Sequence, residues 1–169
     1  IQVWDSPVRL RQYLLDRVGM PPESKNDNFY GASVCCGIFK RTLIEENHIC
    51  FVSEREFIAE DMIFDLNIIP CANCIVHTNA MLYFYRYNPS SLTTVYKPIR
   101  FEKNIELYEE MERLLAKQYE LQEYQEPLHR YFITFSRIAV MQEVKFLKQN
   151  GFVFTYKAIK RICENECLQ

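Results

Sequence analysis

The sequence has few glycines: Gly19, Gly31, Gly37 and Gly151 are the only ones in 169 residues. Scattered as they are, they form no glycine-rich loop of the kind that cradles a phosphate. No Asp-x-Asp pair occurs anywhere, and the three histidines, His48, His77 and His129, lack metal-ligand spacing, so no metal site is expected in this chain. No apolar run approaches the roughly 18–20 residues that span a bilayer. Ile1 opens without the basic and apolar regions of a signal peptide, and a cytosolic chain is expected. A basic excess is missing too, since 20 Lys+Arg stand against 22 Asp+Glu. That balance makes nucleic acid an unexpected partner.

The seven cysteines, Cys35, Cys36, Cys50, Cys71, Cys74, Cys163 and Cys167, are odd in number, which excludes a complete disulfide framework and suits reduced thiols. Cys71-x-x-Cys74 could be a redox pair, or half of a zinc site closed by Cys163 and Cys167. No helix start signal follows Cys74, as a thioredoxin-like site would need.

What is present suits a packed core, with 49% hydrophobic and 14% aromatic residues. Ser6-Pro7 predicts a helix start, with Leu10, Tyr13, Leu14 and Val18 on one face and Gly19 as its stop. Met20 to Asn28 reads as a polar loop. Helical spacing returns from Phe39 to Asn47, followed by an extended stretch near Ile49 to Val52. Glu60-Asp61 opens a further helix, with two acids favoured by the helix dipole in its first turn and Pro70 beyond its end. Cys74 to His77 and Met81 to Arg86 predict adjacent strands or a hairpin. From Pro98 onward the pattern is helical, over Arg100 to Tyr119, Pro127 to Gln149 and Thr155 to Cys167.

Four segments in order carry a family resemblance. They are Ile38-Phe-Lys-Arg-Thr-Leu-Ile44, Phe51-Val-Ser-Glu-Arg-Glu-Phe-Ile-Ala-Glu60-Asp61-Met-Ile-Phe64, Leu82-Tyr-Phe-Tyr-Arg86-Tyr-Asn88-Pro-Ser-Ser91-Leu-Thr93, and Tyr96 to Tyr108. Together they resemble the second half of bacterial family 2 glycosyltransferases, over about residues 30 to 110. The resemblance implies the acceptor-side portion of an inverting GT-A enzyme of surface polysaccharide assembly. A metal-binding Asp-x-Asp, and with it Mn or Mg and the nucleotide-sugar donor, would belong to an N-terminal half on the order of 100 residues long that this sequence lacks. One departure stands at Cys35, where the family often has tryptophan, and it suggests a different acceptor.

The resemblance implies Asp61 as catalytic base and Glu60 as its neighbour orienting acceptor or aspartate; inverting transfer needs one carboxylate on the acceptor hydroxyl. The bland reading is that both acids only cap the following helix. Arg86, Asn88, Ser91 and Thr93 are candidates for binding a diphosphate or an acceptor sugar, against ordinary turn chemistry in Asn-Pro-Ser-Ser. Glu54 and Glu56 suit a solvated strand end, and Tyr83, Phe84 and Tyr85 suit sheet packing better than a sugar platform.

The expected fold is α+β and helix-rich, with few strands, residues 1–97 forming the acceptor-side part and 98–169 a helical extension. Alone, the fragment should be inactive, and apolar surface left by a missing sheet should favour self-association. Residues 127–169 hold 7 Lys+Arg against 3 Asp+Glu, leaving 13 against 19 before them. Arg130, Arg137, Lys145, Lys148, Lys157, Lys160 and Arg161 alternate with Tyr131, Phe132, Phe135, Phe146, Phe152 and Phe154, a mixture that suits peripheral contact with the inner membrane and a lipid-linked acceptor. Two core-packing helices with solvated basic faces are the simpler reading. The rival functions are a non-catalytic helical interaction or membrane-recruitment module, and a regulatory helical domain.

Overall fold

The computed structural model describes residues 1–24, 30, 33–84, 86 and 95–168. Strand β1 (Gln2–Trp4) leads into helix α1 (Pro7–Val18), which starts and stops where the sequence predicts. Its start depends on Pro7, whose fixed φ suits the first helical position, while the Ser6 side chain makes no capping bond. Leu10, Tyr13, Leu14, Leu15 and Val18 are buried on one side of α1, as their three- and four-residue spacing requires.

Gly19 ends α1 for a reason other than backbone freedom, because its φ of -156° is ordinary extended backbone. A Cβ there would lie 2.0 Å from the carbonyl oxygen of Pro127. The missing side chain is what lets the end of α1 touch a later helix.

Helix α2 (Arg41–Glu46) ends in a Schellman turn: His48, at φ 52°, donates its N–H to Glu45 O, and Ile49 N–H reaches Ile44 O at 3.0 Å. His48 is therefore a helix terminator, and Ile49 beyond it is buried. Helix α3 (Glu60–Ile68) follows, running into a 3₁₀ turn at Ile69–Cys71. Phe64 of α3 stacks on Phe51 at 4.2 Å between ring centres and meets Phe39 edge-on at 5.2 Å, so both preceding segments are pinned to this helix.

Strand β2 (Ile75–His77) forms within the expected Cys74–His77 stretch, but its partner is β1 and not Met81 to Arg86. The antiparallel register pairs Gln2 with His77, Val3 with Val76 and Trp4 with Ile75. Trp4 anchors this pairing: its ring packs on Tyr13 of α1 and Tyr30 at 4.7 and 5.5 Å. Met81–Phe84 pairs with no strand among the described residues, and Met81 is 99% and Phe84 88% exposed.

The remaining described chain is helical: α4 (Arg100–Leu115), α5 (Leu121–Lys145), α6 (Leu147–Asn150) and α7 (Phe152–Cys163). Helix α5 corrects the expected start at Pro127. A capping box between Glu120 and Glu123 starts it six residues earlier, with Glu120 N–H donating to Glu123 Oε2 at 3.0 Å, and Pro127 lies inside. Asn104 of α4 donates to Phe135 O of α5 at 3.0 Å.

The architecture is thus mostly helical with one two-stranded antiparallel sheet among the described residues. One buried cluster joins Leu14, Met62, Leu66, Leu107, Met111, Leu115 and Leu128, drawn from α1, α3, α4 and α5. A smaller one joins Phe101, Phe132, Ala139 and Ile162. No helix among the described residues is long and apolar enough to cross a membrane.

Backbone approach at Gly19 makes a direct prediction. Gly19→Ala should lose stability at the upper end of the overpacking range, about 3 kcal/mol, since the obstructing atom is backbone and cannot swing away. Gly151→Ala, where the space is open but φ +84° with ψ 153° is a conformation that glycine alone adopts readily, should cost about 1–3 kcal/mol through backbone strain. Urea unfolding of each variant measures the losses; a Gly19→Ala loss below about 1 kcal/mol would mean that the α1–α5 contact yields easily.

Candidate functional site

Glu60 is the first residue of α3, after Ala59 at φ -135°, so Asp61 falls in the first turn, where the helix dipole favours a carboxylate. Its bond is made elsewhere, however: Asp61 Oδ2 accepts the N–H of Val34 at 3.2 Å. Val34 opens a short 3₁₀ turn, Val34–Cys36, whose own start is held by Ser33 Oγ accepting from Cys35 N–H at 3.3 Å. Asp61 therefore ties a preceding loop to α3 and does not cap its own helix. It is half-buried, and its other oxygen makes no hydrogen bond to a described residue. Glu60 beside it is also half-buried.

One turn along α3 lies a second carboxylate that the sequence reading missed. Asp65 is 2% exposed, and Arg17 Nε and Nη2 both stand 2.6 Å from its Oδ2. Positions 61 and 65 share a helix face, and Asp61 adds a repulsion that raises Asp65 slightly further. Burial is the main cause that pushes the Asp65 carboxyl up from 3.8 to about 6, with Arg17 pulling the other way. Tyr13 is raised by burial too, beside Arg17 and Asp65. Two signals could have revealed the pair. Asp65 interrupts the apolar run Met62 to Leu66, and Arg17 falls four residues after Tyr13 on the buried side of α1.

Beyond this pair a cleft of about 400 Å³ separates the end of α1 and residues 19–24 from the middle of α5. Met62, the residue after Asp61, forms part of its wall, with Tyr131, Phe135 and Ile138. Arg17, Arg130 and Arg137 line it as well, and no carboxylate among the described residues does. Arg130 is fixed by Glu126 at 3.1 Å and by Met20 O at 3.4 Å. Tyr131 is buried; its hydroxyl has no hydrogen-bond partner among the described residues, and burial raises its pKa strongly.

Of the other predicted site residues, Arg86 is exposed, while Asn88, Ser91 and Thr93 lie outside the described residues, as does Tyr85. The chain leaving that segment is clamped to α5. Tyr96 Oη donates to the buried Glu143 carboxylate at 3.1 Å, and Gln142 bonds both the N–H and the C=O of Lys97 at 3.3 and 3.0 Å. Glu54 and Glu56 are exposed, as expected of a solvated end. His77 packs edge-on against Tyr30, and His129 stacks on Tyr108. All seven cysteines are free thiols; only Cys71 is half-buried, donating to Asn67 O. No cluster of three or more His, Cys, Asp or Glu side chains that could hold a metal ion occurs among the described residues.

The chain matches no protein-family model, no curated protein and no solved structure.

Asp65 gives the fold a pH signature. Between pH 3.8 and about 6 the folded chain keeps a proton that the unfolded chain has lost. This group's contribution to stability therefore falls as pH rises through that window and is level above it. Relative to Asp65→Asn, the wild type should lose stability from pH 3.8 to about 6 and then hold a constant offset. Urea midpoints measured across the window check this, and a constant offset throughout would contradict it.

Proposed function

We propose that this chain is the acceptor-side part of an inverting family 2 glycosyltransferase of the GT-A type, with Asp61 as its base. The observation that carries the reading is the placement of Asp61. The motif acid sits in the first turn of α3, fixed through one oxygen by Val34 N–H and half-exposed, rather than spent on capping the helix. A base needs such an arrangement, with one lone pair used for aim and another left for the proton.

In the proposed reaction the acceptor hydroxyl loses its proton to Asp61 as its oxygen bonds to the anomeric carbon. The bond from that carbon to the nucleoside diphosphate breaks on the opposite side, which inverts the configuration. Glu60, adjacent in the first turn, would orient the acceptor. Arg86, Asn88, Ser91 and Thr93 are proposed to contact diphosphate or acceptor. Mn or Mg would be held by the Asp-x-Asp of the proposed donor half and would neutralise the diphosphate there.

Met81–Phe84 supports the same reading. Four apolar strand-forming residues, 51–99% exposed, suit a strand whose sheet is completed by a nucleotide-binding half. A lipid-linked saccharide of surface polysaccharide assembly is the proposed acceptor class, and the cytoplasmic face of the membrane the proposed location.

Asp61→Asn tests the reading in the full-length enzyme that carries the donor half. Turnover should fall roughly 100- to 10,000-fold while donor affinity and melting temperature hold. Glu60→Gln should lose less, because an orienting group does not take the proton. Near-normal turnover in Asp61→Asn, or a loss explained by unfolding, would leave Asp61 as a loop tether and remove it as the base.

A further inference from the structure

The basic and aromatic residues after Pro127 do not share one surface. Tyr131 and Phe132 are buried in the core, and Arg130 and Arg137 line the cleft against α1. What remains is concentrated at the far end of α5, in α6 and in the first turns of α7. Phe152, Val153, Phe154 and Tyr156 are 73%, 65%, 51% and 58% exposed, and Val144, near the end of α5, is 56% exposed. Of the twelve residues of α7, only Thr155 and Ile162 are buried. A soluble helix normally turns its large apolar residues inward; here three aromatics in five positions point out.

Charge at the same place has one sign. Residues 144–161 contain Lys145, Lys148, Lys157, Lys160 and Arg161 and no Asp or Glu. Lys160 and Arg161 are neutralised by Glu164 and Glu102. Lys145, Lys148 and Lys157 are exposed and have no acidic partner among the described residues, Lys145 resting over the Phe146 ring at 5.5 Å. Gly151, at φ +84° and with open space around it, makes the turn between α6 and α7. Exposed Met81–Phe84 differs, since those four residues carry no charge.

We infer that the α6–α7 turn and the helix ends flanking it form a docking surface for an anionic lipid bilayer. Phe152, Val153, Phe154 and Tyr156 enter the headgroup layer, and Lys145, Lys148 and Lys157 meet lipid phosphates. The pairing of an exposed apolar tip with unneutralised cations commits the surface to this occupant. Apolar residues alone suit any partner, but lysines around aromatics match the two layers of a membrane interface. The inference stands apart from the catalytic reading, because it uses none of the residues near Asp61.

The experiment is vesicle co-sedimentation of this chain with phosphatidylcholine alone and with phosphatidylcholine mixed with phosphatidylglycerol, at low and high salt. Binding should appear with the anionic vesicles and weaken as salt rises. Substituting Lys145, Lys148 and Lys157 by Gln should weaken it about fivefold per lysine. Phe152→Ser with Phe154→Ser should weaken it about tenfold or more while leaving the salt dependence in place. Lys40→Gln with Lys117→Gln, exposed lysines elsewhere, should change nothing. All these positions are exposed, and circular dichroism confirms that each variant stays folded. Absence of binding to anionic vesicles, or equal loss with the control pair, overturns the proposal. So does a concentration-dependent dimer that Phe152→Ser with Phe154→Ser abolishes while vesicles are ignored, since the face would then join copies of the chain.

Discussion

The contact between Arg17 and Asp65 holds the candidate site in place. Arg17 closes the last turn of α1, where a cation suits the helix dipole, and Asp65 lies in the middle of α3. Both side chains are almost wholly withdrawn from water. Two charges removed from solvent cost several kcal/mol each, and only close geometry offsets that cost, so breaking the pair would leave about 3–5 kcal/mol uncompensated. The pair therefore fixes the rotation of α3 about its own axis more than it adds net stability. Asp61, four residues earlier on the same face, takes its direction from that rotation, and Val34 N–H completes the aim.

Helix α5 is the second constraint, because three separate parts of the chain are fastened along it. Near its start, Gly19 brings α1 against Pro127. In its middle, the Phe135 carbonyl receives Asn104 of α4. Near its end, Gln142 and Glu143 grip Tyr96 and Lys97, the first residues after the segment that carries Asn88, Ser91 and Thr93. The capping box at Glu120 and Glu123 sets where this helix begins and hence where each attachment falls. Burial next to the Glu143 carboxylate raises the Tyr96 hydroxyl, keeping its proton on the tyrosine, where it serves as the donor of that grip.

Local signals were legible in the sequence wherever one residue decided the outcome. Pro7 and Gly19 bound α1, and Glu60 and Pro70 bracket α3 with the 3₁₀ turn at its end. The sequence points to Pro127 as the start of α5 because proline is a stronger mark than a glutamate N-cap; in the structure Pro127 is the seventh helical residue, and the capping box and the packing of α5 offset the bond to the Glu123 carbonyl that it forfeits. The partner of β2 was misassigned because adjacency predicts hairpins, whereas Trp4, by packing on Tyr13, carries β1 across from the N-terminus. At the candidate site, Asp61 was visible as an acid at a helix start. Its tether to Val34 and the Arg17–Asp65 pair behind it were not, because both join residues far apart in sequence.

Met81–Phe84 and Phe152 to Tyr156 are exposed apolar stretches among the described residues, and their chemistry separates them. Met81–Phe84 is uncharged, rich in strand formers and part of no helix or strand, so a partner could add ladder bonds as well as burial. A sheet edge supplies both at once, which suits the proposed donor half. Phe152 to Tyr156 is helical, so its carbonyls are bonded within α7; beside side-chain burial it lacks only partners for the first-turn N–H groups, which water or a phosphate supplies. Lys145, Lys148 and Lys157 around it disfavour a dry protein contact, where each charge would have to be desolvated, and favour an interface that keeps ammonium groups hydrated beside phosphates. The state of the backbone thus separates a surface that another polypeptide could complete from one that a lipid interface could.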